Sequence, residues 1–220
     1  MELSLAEENY LKSIYHLAGQ AEGGVSTNAI AEDLNTKPAS VSDMMRKLSD
    51  KGVIEYKKYK GVQISDTGKK IALSVIRKHR LWEVFLLEKL GFKWDEVHDI
   101  AEQLEHIKSP LLIKKLDEFL DYPSVDPHGD PIPNEDGEIK IQTNYSLSEM
   151  ETGSVGMVTN VPDSNPALLR HLDQIKMKLG SKITVKEKVE FDGSVLIAIG
   201  DQTPIYLSGA IAEKIMLKLT

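Results

Sequence analysis

Apolar residues recur at helical spacing over the first half of the chain and at alternating positions near its end. Leu5, Leu11, Ile14, Tyr15 and Ala18 predict an amphipathic helix over 5–18, capped by Ser4 and broken by Gly23-Gly24. Ala29, Ile30, Ala31 and Leu34 predict a short second helix over 26–34, and Asn35-Thr36-Lys37 a turn. Pro38 stands at a favourable first position for a third helix over 38–50, with Val41, Met44, Met45 and Leu48 inward and Gly52 at its end. Residues 53–65 predict two strands turning near Lys60-Gly61. A long helix follows from Asp66 to about Leu90, apolar over more than one face, as burial between a partner helix and a second subunit would require.

Further helices are expected over 94–107 and from Pro110 to about Leu120. Pro123, Pro127, Pro131 and Pro133, with Gly129 and Gly137, make 122–146 a linker. Beyond it, strands are expected over 154–161, 182–190, 194–200 and 204–207, with helices over 165–179 and 208–216. The fold class is therefore mainly α with a C-terminal small β-barrel. Residues 1–65 form a winged helix-turn-helix, two short helices and a tight turn followed by a lysine-tipped hairpin. Residues 66–121 form a helical domain and 147–220 the barrel.

The net charge of −7 argues against nucleic acid until its distribution is considered. Between Thr36 and Arg80 twelve Lys/Arg face only four Asp/Glu, a local basic footprint in an acidic chain. In a winged helix the third helix enters the major groove and its first residues approach base edges. Those are Lys37, Ala39, Ser40, Ser42 and Asp43, with Ser26 at the start of the second helix beside them. Arg46, Lys47, Lys58 and Lys60 are placed to hold phosphates. The bland alternative is a solvated lysine face, or a winged helix used for protein contacts. The absence of cysteine excludes disulfides and thiolate metal sites, no apolar run reaches the ~20 residues of a membrane span, and an acidic N-terminus unlike a signal peptide points to the cytoplasm.

The segments 78–83 and 97–106 gather three of the six histidines and three glutamates. At helical spacing His79 and Glu83 share a face, and so do His98, Glu102, Glu105 and His106. Imidazole with carboxylate suits Mn, Fe, Co, Ni or Zn. The pair His79/Glu83 alone reads more readily as an ordinary surface pair, and His98 alone could be a core histidine. A metallohydrolase would need a general base in a substrate pocket, and neither His-Glu-x-x-His nor a nucleophile elbow is present, so no enzyme activity is expected. A metal-independent winged-helix regulator is the other competing class.

The order of a winged helix, Lys78-His79-Arg80-Leu81-Trp82-Glu83, then Val97-His98-Asp99 through Glu102-Gln103-Leu104-Glu105-His106, then Pro127-His128-Gly129-Asp130-Pro131-Ile132-Pro133, resembles the DtxR/MntR family of metal-dependent transcriptional repressors over essentially the whole chain. The resemblance implies a homodimer, joined through the helices after the wing, that binds palindromic double-stranded operators when Mn(II) or Fe(II) is present. It makes the barrel an SH3-like, FeoA-type domain. One family metal site matches Glu102, Glu105 and His106 with a ligand from the first helix at Asn9, or Glu8 instead. A second matches His79 and Glu83, completed by His98 or by Asp126 and His128 with an acid of the C-terminal domain, Asp163. Glu at position 102, where iron-type members often carry Cys, favours Mn(II) over Fe(II) as corepressor, the ion controlling manganese uptake genes.

Overall fold

Ser4 begins the first helix, as its sequence pattern requires. In the computed structural model, which describes residues 2–19, 23–57, 61–140, 143–162 and 165–220, α1 (Leu5–Ala18) opens on a capping box. The Ser4 hydroxyl accepts from the Glu7 N–H, and the Glu7 carboxylate accepts from the Ser4 N–H at 2.8 Å. Each interaction satisfies a helix-end donor that would otherwise face water alone. Ser4→Ala should therefore lower stability by about 1 kcal/mol in urea unfolding; a change within ~0.2 kcal/mol would show the cap to be idle.

The chain resolves into two units, each made of separated segments. The first comprises residues 1–79, 103–110 and 133–138. It holds α1, α2 (Thr27–Asp33), α3 (Pro38–Asp50), the antiparallel hairpin β1 (Ile54–Lys57) and β2 (Gly61–Ile64), and the first half of α4 (Asp66–Leu90). Asn35 at φ +45° and the Thr36 N–H to Ala31 carbonyl bond turn α2 into α3. Val41, Met45 and Leu48 lie on one face of α3 and are fully buried with Leu11, Ile14, Ile30 and Val62. Met44, expected inward, is only partly buried at the rim of that core. Gly52, at φ +70°, takes the left-handed position after α3 that a side chain would resist.

The second unit comprises residues 80–102, 111–132 and 139–220. It contains the second half of α4, most of α5 (Val97–Leu104), α6 (Pro110–Phe119) and a six-stranded antiparallel sheet in the order β3-β8-β4-β5-β6-β7. The strands are β3 (Tyr145–Ser146), β4 (Val155–Asn160), β5 (Lys182–Lys188), β6 (Val195–Ile199), β7 (Ile205–Leu207) and β8 (Met216–Leu219). With α7 (Pro166–Gln174) and α8 (Gly209–Ala212) the sheet buries Leu147, Val158, Leu169, Leu172, Ile183, Ile197 and Leu217. Trp94 joins this core from outside the sheet segment.

Four expectations need correcting. The helix expected over 94–107 is shortened to α5, because Trp94 is drawn into the sheet core and Glu105 into hydrogen bonds, so Glu105 and His106 sit in the turn after the helix. The helix expected over 165–179 ends at Gln174, where Lys176 adopts φ +57° and Met177 turns inward. The helix expected over 208–216 is a single turn, and Met216 begins β8, a strand the hydropathy pattern did not reveal. The proline-rich stretch after Tyr122 holds an ordered loop rather than a bare connection. Val125 bridges Pro131, and Asp126 and His128 are each only 4% exposed.

Candidate metal and nucleic-acid sites

In the first unit, α3 presents Lys37, Ala39, Ser40, Asp43 and Lys47 to solvent, the surface a groove-binding helix needs. Asp43 and Arg46 form an exposed ion pair at 3.1 Å, which leaves Arg46 partly neutralised by its own helix. Ser42 donates to the Pro38 carbonyl, and Ser26 accepts from the Ala29 N–H as the cap of α2. Lys58 and Lys60 lie outside the described residues.

Also in the first unit, α1 meets the segment after α5 through a hydrogen-bonded cluster. Glu105 is fully buried, and both its oxygens face the Lys12 ammonium, at 2.7 and 2.8 Å. His79 Nδ1 lies 2.6 Å from Glu105 Oε2, and His106 Nδ1 lies 2.6 Å from Glu8 Oε2. Burial pushes the Glu105 carboxyl up, but the bonds from His79 and Lys12 outweigh it and hold the group below the ordinary carboxylate range. Lys78 stands close enough to feel Glu8 and Glu105, although its own burial is the larger influence and draws its ammonium down. Two carboxylates thus meet two ammonium groups. The Oδ1 of Asn9 is buried with no hydrogen-bond partner among the described atoms.

The second unit builds a different arrangement. Glu83 on α4 is 2% exposed, and its Oε1 lies 3.4 Å from His98 Nδ1 on α5 and 3.8 Å from His128 Nε2. His98 Nε2 is 3.7 Å from the half-exposed Glu102. Asp126 shapes the loop that carries His128. Its Oδ1 accepts from the His128 and Asp130 N–H groups, and its Oδ2 faces Arg80 Nε at 3.4 Å. Arg80 also donates to the Pro131 carbonyl. Gly129, at φ +88°, lets this loop run against β4, where the Val161 N–H and Asn160 side chain donate to the His128 carbonyl. Trp94 stacks on the His128 ring at 6.1 Å. Burial, then Glu83 and Asp130, push the Asp126 carboxyl well above the ordinary range against the pull of Arg80.

These two geometries fit a metal ion differently. Donor atoms sharing one ion at ~2.0–2.2 Å stand roughly 3–4 Å apart. The separations around Glu83 Oε1 fall in that range and exceed the ~2.7–3.2 Å of a hydrogen bond. The Glu8–Glu105–His106 set is instead closed to hydrogen-bond distances, and its charge is met by Lys12 and Lys78. Of the predicted residues, the structure brings Glu83, His98, Glu102 and His128 together in one unit, and His79, Glu105 and His106 in the other. Glu8 rather than Asn9 meets His106. Asp163 lies outside the described residues. Sequence reading missed Lys12 and Arg80. Lys12 is one helical turn past Glu8, a spacing visible in the sequence had the polar face of α1 been read as closely as its apolar one.

Comparison with known proteins supplies three family matches. The family described as iron dependent repressor, N-terminal DNA binding domain, matches residues 2–62. The iron dependent repressor metal binding and dimerisation domain matches 65–134, and the FeoA domain matches 145–219. The chain is 30% identical over 201 residues to the diphtheria toxin repressor of Corynebacterium diphtheriae, covering 87% of each chain. It is 34% identical over 133 residues to the iron-dependent repressor IdeR of Mycobacterium tuberculosis, a stretch spanning 60% of this chain and 57% of that relative. A solved manganese-dependent transcriptional repressor in complex with manganese superposes with a TM-score of 0.90 at 34% identity, covering 97% of this chain and 100% of that one.

Proposed function

The chain belongs to the iron-dependent (DtxR/MntR) repressor family, and from that membership we propose that it is a homodimeric, cytoplasmic, divalent-metal-dependent transcriptional repressor with Mn(II) as corepressor. The observation that carries this reading is the convergence of His98 Nδ1 and His128 Nε2 on the buried Glu83 carboxylate at metal-compatible spacing. Glu83, His98 and His128 would hold the ion, whose positive charge would offset the buried Glu83 carboxylate, and Asp126 with Arg80 fixes the loop from which His128 projects.

Mn(II) leads because the chain offers no thiolate and surrounds the set with carboxylates, Glu102 among them; Fe(II) is the ion to test against it. The iron and manganese names of its relatives leave both in play. Dimerisation is supported by an apolar groove lined by Trp82, Phe85, Leu112, Leu116 and Phe119, with Phe119 62% exposed. No helix among the described residues is long and apolar enough to cross a membrane.

Metal and DNA that favour the same conformation must strengthen each other by the same factor. The test uses a fluorescent duplex selected from a random library by the Mn(II)-loaded chain. Anisotropy should show affinity about 5–150-fold tighter with Mn(II) than with chelator, the usual range of coupling. Equal affinities would sink the reading, and a parallel anaerobic Fe(II) titration decides between the ions. Lys47→Ala should weaken binding to all duplexes alike and lower the salt slope by about one unit per half-site. A change confined to one sequence would instead make Lys47 a base reader.

A further inference from the structure

We infer that the Lys12 ammonium is the resident cation of the Glu8–Glu105–His106 cluster, standing where a divalent ion would otherwise sit, so that each chain holds metal only around Glu83, His98 and His128. This rests on the metal-dependent reading above. Lys12 projects from α1 and lies 2.7 and 2.8 Å from the two oxygens of a carboxylate with no solvent exposure. The remaining contacts of the cluster are hydrogen bonds, His79 to Glu105 and His106 to Glu8, both at 2.6 Å. A metal ion needs the same lone pairs that Lys12 and His79 now engage. Its charge would also add to that of Lys12 and Lys78 in a partly buried space, where like charges repel strongly. Around Glu83 the separations are longer, 3.4 Å to His98 Nδ1 and 3.8 Å to His128 Nε2. The two sets therefore divide the work: one is closed by the chain's own ammonium and joins α1 to the segment after α5 without metal, while the other keeps the donor spacing that suits an ion.

Equilibrium dialysis of the metal-free full-length protein against Mn(II), with metal measured by atomic emission, counts the sites. The wild type should bind one tightly held Mn(II) per chain, Lys12→Gln two, and Lys12→Arg, which keeps the cation, one. Adding Glu105→Gln to Lys12→Gln should return the count to one. Two tight sites in the wild type, or an unchanged single site in folded Lys12→Gln, overturns the inference while leaving the function intact. No tight site in any variant overturns the metal reading itself. If Lys12→Gln is unfolded in buffer, Mn(II) should refold it, as followed by circular dichroism, but not the double variant; failure to refold counts against the inference.

Discussion

Glu105→Ala is expected to destabilise the metal-free protein by roughly 3 kcal/mol, the low end of the ~3–5 kcal/mol measured when one member of a buried ion pair is removed. The low end is appropriate because the Lys12 side chain keeps 14% of its exposure. The change removes the carboxylate that Lys12 and His79 face, from a position with no access to solvent. Its sign separates two views of the residue. A buried carboxylate kept only to meet a metal repels its neighbours when the metal is absent, so deleting it would raise metal-free stability. One held by Lys12 and His79 lowers that stability when lost. Urea unfolding in the presence of a chelator measures the difference, and an increase on substitution would remove the ion pair from the account. Glu105→Gln, which retains an acceptor for both partners, should cost less than Glu105→Ala.

The second large effect is expected at Gly129. A Cβ there would stand 2.0 Å from the Thr159 carbonyl oxygen, a contact that only movement of the backbone can relieve. The left-handed φ of +88° adds about 1–2 kcal/mol for any side chain, so Gly129→Ala should lose about 3 kcal/mol in all. Because Asn160 and Val161 dock this loop through the His128 carbonyl, the substitution should also weaken Mn(II) binding more than tenfold by moving His128 from Glu83. Gly153→Ala provides the control. Its φ is also +88°, but nothing lies within 4 Å of the added carbon, so only the backbone strain should be felt. Similar losses at both positions would show that docking against β4 contributes nothing.

What could be read in the sequence follows from how local each determinant is. Ser4 with Glu7, Pro38 and Gly52 act within a turn of the helix ends they mark, so the bounds of α1 and α3 were visible without tertiary information. The ends of α5 and α7 were not. Trp94 is committed to a core formed mostly by residues after 147, and Met177 turns back into that same core past a left-handed Lys176. β8 offers only Leu217 as a fully buried strand position, too short an alternation to stand out. At the candidate site the residue types were legible because histidine and glutamate are informative wherever they cluster. Their division into a set closed by an ammonium and a more widely spaced one was not, since it depends on which side chains the fold brings up to each carboxylate. Lys12 carries no signal of its own in the hydropathy pattern, and only the fold sets it against Glu105, 93 positions away.

Trp94 has a further use. Its indole ring lies nearly parallel to that of His128, with 21° between the planes, and its N–H donates to Asp173 at 3.1 Å. One of only two tryptophans in the chain is therefore in ring contact with a candidate metal donor. With Trp82 replaced by phenylalanine, the emission of Trp94 becomes an optical record of what happens at that imidazole. A paramagnetic ion arriving there would dim it, so occupancy could be followed in real time without label or chromophore.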